Sequence, residues 1–120
     1  MKGFVQYADL YECTYIPEGD ELRRLAVEAV NDAHMREVQS LYGHFPKHIH
    51  KDNSGDSVIT LIIPLEESHL AIHTWPEQKL VCIDLFTCGD VDRAKIAVDN
   101  LVRIFQPQYR RLSGIYRGHA

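Results

Sequence analysis

The chain has 120 residues, 45% of them hydrophobic and 25% charged, with a formal net charge of −4 and three cysteines. That length suits one domain with a real core and leaves no room for two. The acidic balance argues against a nucleic-acid binder built on a basic face, since only Arg110, Arg111 and Arg117 cluster. The longest apolar run, Val58 to Leu65, contains Thr60 and Pro64 and is far too short to span a bilayer. No charged-then-apolar leader opens the chain. Cys13, Cys82 and Cys88 fall at unrelated spacings, which reads as free thiols in a reducing cytosol. A cytoplasmic domain with no membrane or nucleic-acid partner is the expectation.

Gly3 to Cys13 reads as a strand, with β-favouring Phe4, Tyr7, Leu10 and Tyr11. Pro17 to Asp20 breaks it, and Asp20 is placed to cap a helix. Leu22, Leu25, Ala26, Ala29, Val30 and Ala33 follow at three- and four-residue steps and share one helical face. Met35 to Tyr42 reads as a second strand, and Gly43 to Asp56 as a polar loop. Ser57 to Leu65 and Leu80 to Phe86 are the strongest strands, with His69 to Thr74 a short strand between them. Asp90 caps a second helix whose Ala94, Ala97, Val98, Leu101 and Phe105 form an apolar stripe. Tyr109 to Tyr116 adds an edge strand. The order, roughly β-α-β-β-β-α-β, predicts an α+β two-layer sandwich: an antiparallel sheet with two helices on one face. The other face is left wet or covered by a second subunit.

The stretch from Glu66 to Cys88, EESHLAIHTWPEQKLVCIDLFTC, concentrates chemistry between packed strands. Three readings compete for it. His48, His50, His69 and His73 are metal-ligand types, but neither HExxH nor paired CxxC spacing occurs, and no metal site is expected. Ser68 with His73 as base would make a hydrolase, but bulky Glu67 and His69 stand where a G-x-S-x-G elbow needs glycines.

The third reading is self-cleavage. The Ser68 hydroxyl attacks the carbonyl of Glu67 and turns the amide into an ester. That step needs a pinched backbone, a donor for the tetrahedral oxyanion and a proton shuttle. Elimination across the serine Cα–Cβ bond then releases the upstream chain, and hydrolysis of the dehydroalanine leaves a pyruvoyl group. Such a ketone forms a Schiff base with a substrate amine and takes up the electrons of a breaking carbon–carbon bond, as pyridoxal phosphate does.

ESHLAIHTWPE (Glu67 to Glu77) followed by DLFTCGDVD (Asp84 to Asp92) resembles the bacterial and archaeal S-adenosylmethionine decarboxylase proenzymes. LYEC (Leu10 to Cys13) fits that family's N-terminal strand more weakly. The resemblance implies cleavage between Glu67 and Ser68, giving a β chain of residues 1–67 and an α chain of residues 68–120 headed by the pyruvoyl group. It implies that Thr60 helps form the ester, that His73 assists elimination and that Cys88 protonates the substrate carbon after decarboxylation. Trp75 and Glu77 match residues lining the nucleoside pocket, with Glu77 suited to the ribose hydroxyls, and Phe45 takes the place of the adenine-stacking aromatic. A homodimer of cleaved protomers, with active sites near the interface, is implied as well.

On type alone, Trp75 is equally a core or turn aromatic, Cys88 a small buried hydrophobe and His73 a structural histidine. Their joint spacing from Ser68 favours the chemical reading. Two regions depart from the family pattern: Gly3 to Gln6 replaces a GRHL-like start, and Lys47 to Asp56 lengthens the loop before the cleavage strand. Homologues acting on ornithine or arginine share the pyruvoyl machinery, so the substrate is S-adenosylmethionine or, alternatively, one of those amino acids. An uncleaved, non-enzymatic ligand-binding homologue is the remaining alternative.

Overall fold

Alternation along the strands decides the architecture. In β3 (Val58–Leu65), Ile59, Leu61, Ile63 and Leu65 are buried while their neighbours are half-exposed. β4 (Ser68–Trp75) buries Leu70, Ile72 and Thr74, and β5 (Leu80–Thr87) buries Val81, Ile83, Leu85 and Thr87. Period-two burial of this kind is the mark of a sheet with one packed face. The register lines the buried positions up across strands: Leu61 faces Ile72, and Ile72 faces Ile83.

The computed structural model describes residues 2–38, 41–45 and 58–118. Six antiparallel strands lie in the order β2-β3-β4-β5-β1-β6, with β1 at Lys2–Cys13, β2 at Leu41–Phe45 and β6 at Pro107–Gly118. Helices α1 (Gly19–Asp32) and α2 (Val91–Phe105) cover the packed face. Their contribution is the two expected stripes: Leu22, Ala26, Ala29 and Val30 from α1, and Ala94, Ala97, Val98, Leu101 and Phe105 from α2. Each fully buried Leu, Ile or Phe is worth about 1.5–3 kcal/mol, so this one layer holds the fold. The opposite sheet face is free to carry other work.

Asp90 caps α2 as expected. Its Oδ1 accepts from the Asp92 amide at 2.8 Å and the Arg93 amide at 3.4 Å. A cap of this type contributes about 1 kcal/mol. It also fixes the helix start directly behind Cys88 and Gly89.

Several boundaries differ from the sequence reading, and β6 is longer at both ends than the expected Tyr109 to Tyr116. α1 starts at Gly19, after an N-cap at Glu18 that makes no side-chain cap bond, so Asp20 lies in the first turn. Gly19 has a φ of 64°, a conformation open to glycine that lets the chain enter the helix earlier. Of the strand expected over Met35 to Tyr42, Met35 to Val38 is not one, Glu37 making a single isolated bridge to Leu65, while Leu41 and Tyr42 open β2. The segment instead runs along the end of β3, with the Val38 amide donating to Pro64 O at 2.9 Å and the Glu66 amide to Arg36 O at 3.1 Å. Gly43, His44 and Phe45 belong to β2 rather than to a loop, while 46–57, with His48 and His50, lie outside the described residues. The short strand expected at His69 to Thr74 is a full one from Ser68 to Trp75. Four strands, β2 to β5, separate the helices, as many as the strands named one by one in the sequence and one more than the rough order β-α-β-β-β-α-β.

Among the described residues no helix is long and apolar enough to cross a membrane.

Candidate active site

Ser68 is the first residue of β4, and a two-residue turn of Glu66 and Glu67 joins it to β3. The register places Ser68 between Leu65 and Thr87. Glu67 adopts a φ of 59°, the left-handed region that a non-glycine residue enters at a cost of about 1–2 kcal/mol. The backbone is therefore strained on the Glu67 side of the bond to Ser68.

Its carbonyl oxygen is held from two sides. The Cys88 amide donates to Glu67 O at 3.3 Å, and the Cys88 thiol donates to the same oxygen at 2.8 Å. On the serine side, Ser68 Oγ donates to Thr87 Oγ1 at 3.0 Å, and that oxygen also accepts from the Gly89 amide at 2.9 Å. A pocket of about 140 Å³ opens beside the bond, lined among others by His34, Arg36, Glu66, Thr87 and Arg93.

Magnitudes rank these features. Backbone strain of about 1–2 kcal/mol is small beside an amide-cleavage barrier. One preorganised donor to a developing oxyanion is worth about 2.7–4 kcal/mol. The Cys88 pair thus outweighs the turn, and what the arrangement can do is stabilise a tetrahedral centre at Glu67.

A second cluster sits at the other end of β4. Thr60 Oγ1 and His73 Nδ1 are 3.1 Å apart, and the His73 and Trp75 rings are 6.2 Å apart between centroids. Trp75 ends the strand, and Glu77 lies in the 3-10 turn Pro76–Gln78 that follows. Phe45 ends β2 opposite Val58, toward that same end of the sheet. Across from His73 stands Cys82, which faces Asp9 in turn. Burial, then the hydrogen bond to Asp9, pushes the Cys82 thiol up to about 12, so it stays protonated. Burial likewise raises Cys13 to about 11. Among the described residues no three His, Cys, Asp or Glu side chains converge as a metal site.

The structure brings Glu67, Ser68 and Cys88 together, and Thr60 with His73 and Trp75. It does not join the two groups within one chain. Ser68 and His73 are five residues apart on one strand, about 17 Å at strand rise, and odd spacing puts them on opposite faces. Thr87 and Gly89 also belong to the site; both lie inside the DLFTCGDVD run, but the sequence reading gives neither a role. Their signal is the register that sets Thr87 across from Ser68, which local pattern does not reveal.

A family model described as S-adenosylmethionine decarboxylase matches residues 5–118. The chain belongs to the S-adenosylmethionine decarboxylase family. It is 34% identical over 103 residues to an S-adenosylmethionine decarboxylase proenzyme from Archaeoglobus fulgidus, covering 86% of this chain and 84% of that one. A proenzyme of the same name from Picrophilus torridus is 34% identical over 110 residues, covering 88% and 78%. In fold, the chain is similar to the crystal structure of the adenosylmethionine decarboxylase from Aquifex aeolicus, with a TM-score of 0.82 and 29% identity. That match covers 98% of this chain and 92% of the other. Membership of this family fits a sheet with one free face and a doubly held carbonyl just before a central strand.

Proposed function

We propose that this chain is a self-processing, pyruvoyl-dependent decarboxylase of S-adenosylmethionine, serving polyamine biosynthesis. One observation carries the reading: the Glu67 carbonyl accepts from both donors of Cys88 while the Ser68 hydroxyl sits on the adjoining residue. In the ester-forming step Ser68 Oγ bonds to the Glu67 carbonyl carbon, the carbon–nitrogen bond breaks, and the hydroxyl proton ends on the freed nitrogen. In the elimination, the Ser68 Cα proton leaves and the Cβ–O bond breaks, releasing Glu67 as a carboxylate. Hydrolysis of the remaining dehydroalanine, with loss of ammonia, leaves the ketone at residue 68. That ketone supplies an electron sink for loss of carbon dioxide from a bound amine.

Departure of Glu67 frees the Cys88 thiol, which then has no carbonyl to hold and can give its proton to the substrate carbon. Cys88→Ala should still cleave through the remaining amide donor, though about 10²–10³-fold more slowly, and lower turnover of the cut enzyme by about 10²–10⁴-fold, the usual contribution of a positioned proton donor. Scoring the fraction cut and carbon dioxide release separately checks both halves.

The reading includes a dimer. Thr60, His73, Trp75, Glu77 and Phe45 lie too far along the sheet to serve the Ser68 of their own chain, and Thr60 and His73 project from the face without helices. That face also presents half-buried Ile62, Ala71, Phe86, Tyr7 and Tyr11. A second copy packed there about a two-fold axis would bury the apolar groups and bring each His73 end to the partner's Ser68 end. Each site would then hold a nucleophile from one chain and a base and nucleoside pocket from the other.

Incubation of the purified protein with carboxyl-labelled S-adenosylmethionine, ornithine and arginine tests the substrate. Labelled carbon dioxide is expected from the first alone. Release only from ornithine or arginine would reassign the substrate, and an inert, uncut chain would favour a non-enzymatic binding role.

A further inference from the structure

We infer that Thr87 positions the nucleophile of the self-cleavage proposed above. The inference rests on that reading and assigns a residue to its first step. Thr87 is 2% exposed, at the last position of β5, and its Oγ1 receives the Ser68 hydroxyl at 3.0 Å. A hydroxyl that donates its proton in a hydrogen bond turns its lone pairs outward and gains electron density, which suits attack on a carbonyl. Thr87 Oγ1 is itself pinned by the Gly89 amide at 2.9 Å, so the oxygen that aims Ser68 cannot rotate freely.

The plain alternative is that Thr87 serves only to close the turn into α2. The Gly89 bond alone would do that, and it satisfies the buried oxygen without help from Ser68. The contact with Ser68 is an addition, and it exists only in the uncut chain, since maturation removes the serine hydroxyl. Thr87 acts on the precursor and falls idle in the product. Ser68 Oγ still forms the bond to the Glu67 carbon, and Thr87 neither gains nor loses a covalent bond.

The test compares freshly made precursors of the wild type, Thr87→Ser, Thr87→Ala and Thr87→Val by intact mass over time. Thr87→Ser keeps the hydroxyl and is expected to cut within about threefold of the wild type. Thr87→Ala and Thr87→Val are expected to cut at least about tenfold more slowly, the effect of losing one hydrogen bond to a reacting oxygen. Valine keeps the volume, so the comparison survives if alanine loosens the fold. Equal cutting by the serine and valine variants would overturn the inference. So would a Ser68→Ala/Thr87→Val double variant that loses the cooperative melt of Ser68→Ala, since a disturbed turn would then account for the slow cutting. A wild type that never cuts would refute self-cleavage itself, a different result from either.

Discussion

Ser68→Ala leaves the chain in one piece. Alanine offers no oxygen to attack the Glu67 carbonyl, and of its described neighbours Thr87 is on another strand and the Cys88 thiol is engaged with the carbonyl oxygen. The variant should still fold. Ser68 is half-buried and makes one side-chain bond, so its loss lowers stability by about 1 kcal/mol, against several times that for a core deletion. A denaturing gel should show a single band of 13.8 kDa and no residues 1–67 fragment, with a cooperative melt close to that of the parent. Cleavage after Glu67 in this variant would remove the ester mechanism.

His73→Ala precursors should likewise stay joined on their own, yet be cut when assembled with Ser68→Ala chains. In such a mixed dimer one site is dead twice over. The other combines an intact Ser68 from the His73→Ala chain with an intact His73 from its partner. Random pairing of equal amounts puts about half of the His73→Ala chains into mixed dimers, so about half should be cut while Ser68→Ala chains remain whole. If His73 served the serine of its own strand, mixing would rescue nothing. The roughly 17 Å along the strand makes that second outcome incompatible with the geometry described.

Much of the fold is legible in the chain because the core is written in simple periods. Leu22, Ala26, Ala29 and Val30, and Ala94, Val98, Leu101 and Phe105, recur at helical steps and are buried. Ile59, Leu61 and Ile63 alternate and are buried too. The start of β2 is harder to read, because Met35 is buried by a link that follows the end of β3 and so looks like a strand residue in sequence. Asp20 has the residue type of a cap, whereas the turn is made by the positive φ of Gly19. Within the site, Glu67, Ser68 and Cys88 stand out through the family-like run. Thr87 lies in the same run, but its role is not legible there, because it comes from pairing between strands, which a local pattern does not carry. The separation of Ser68 from His73 is open to view, since an odd step along a strand changes face, but only once the strand is known to begin at Ser68.

The mass spectrum of the purified wild-type protein tests self-cleavage most directly. Two fragments are expected, residues 1–67 and residues 68–120, the second starting with a ketone in place of an amine. A single 13.8 kDa species with an intact serine at position 68 would contradict it.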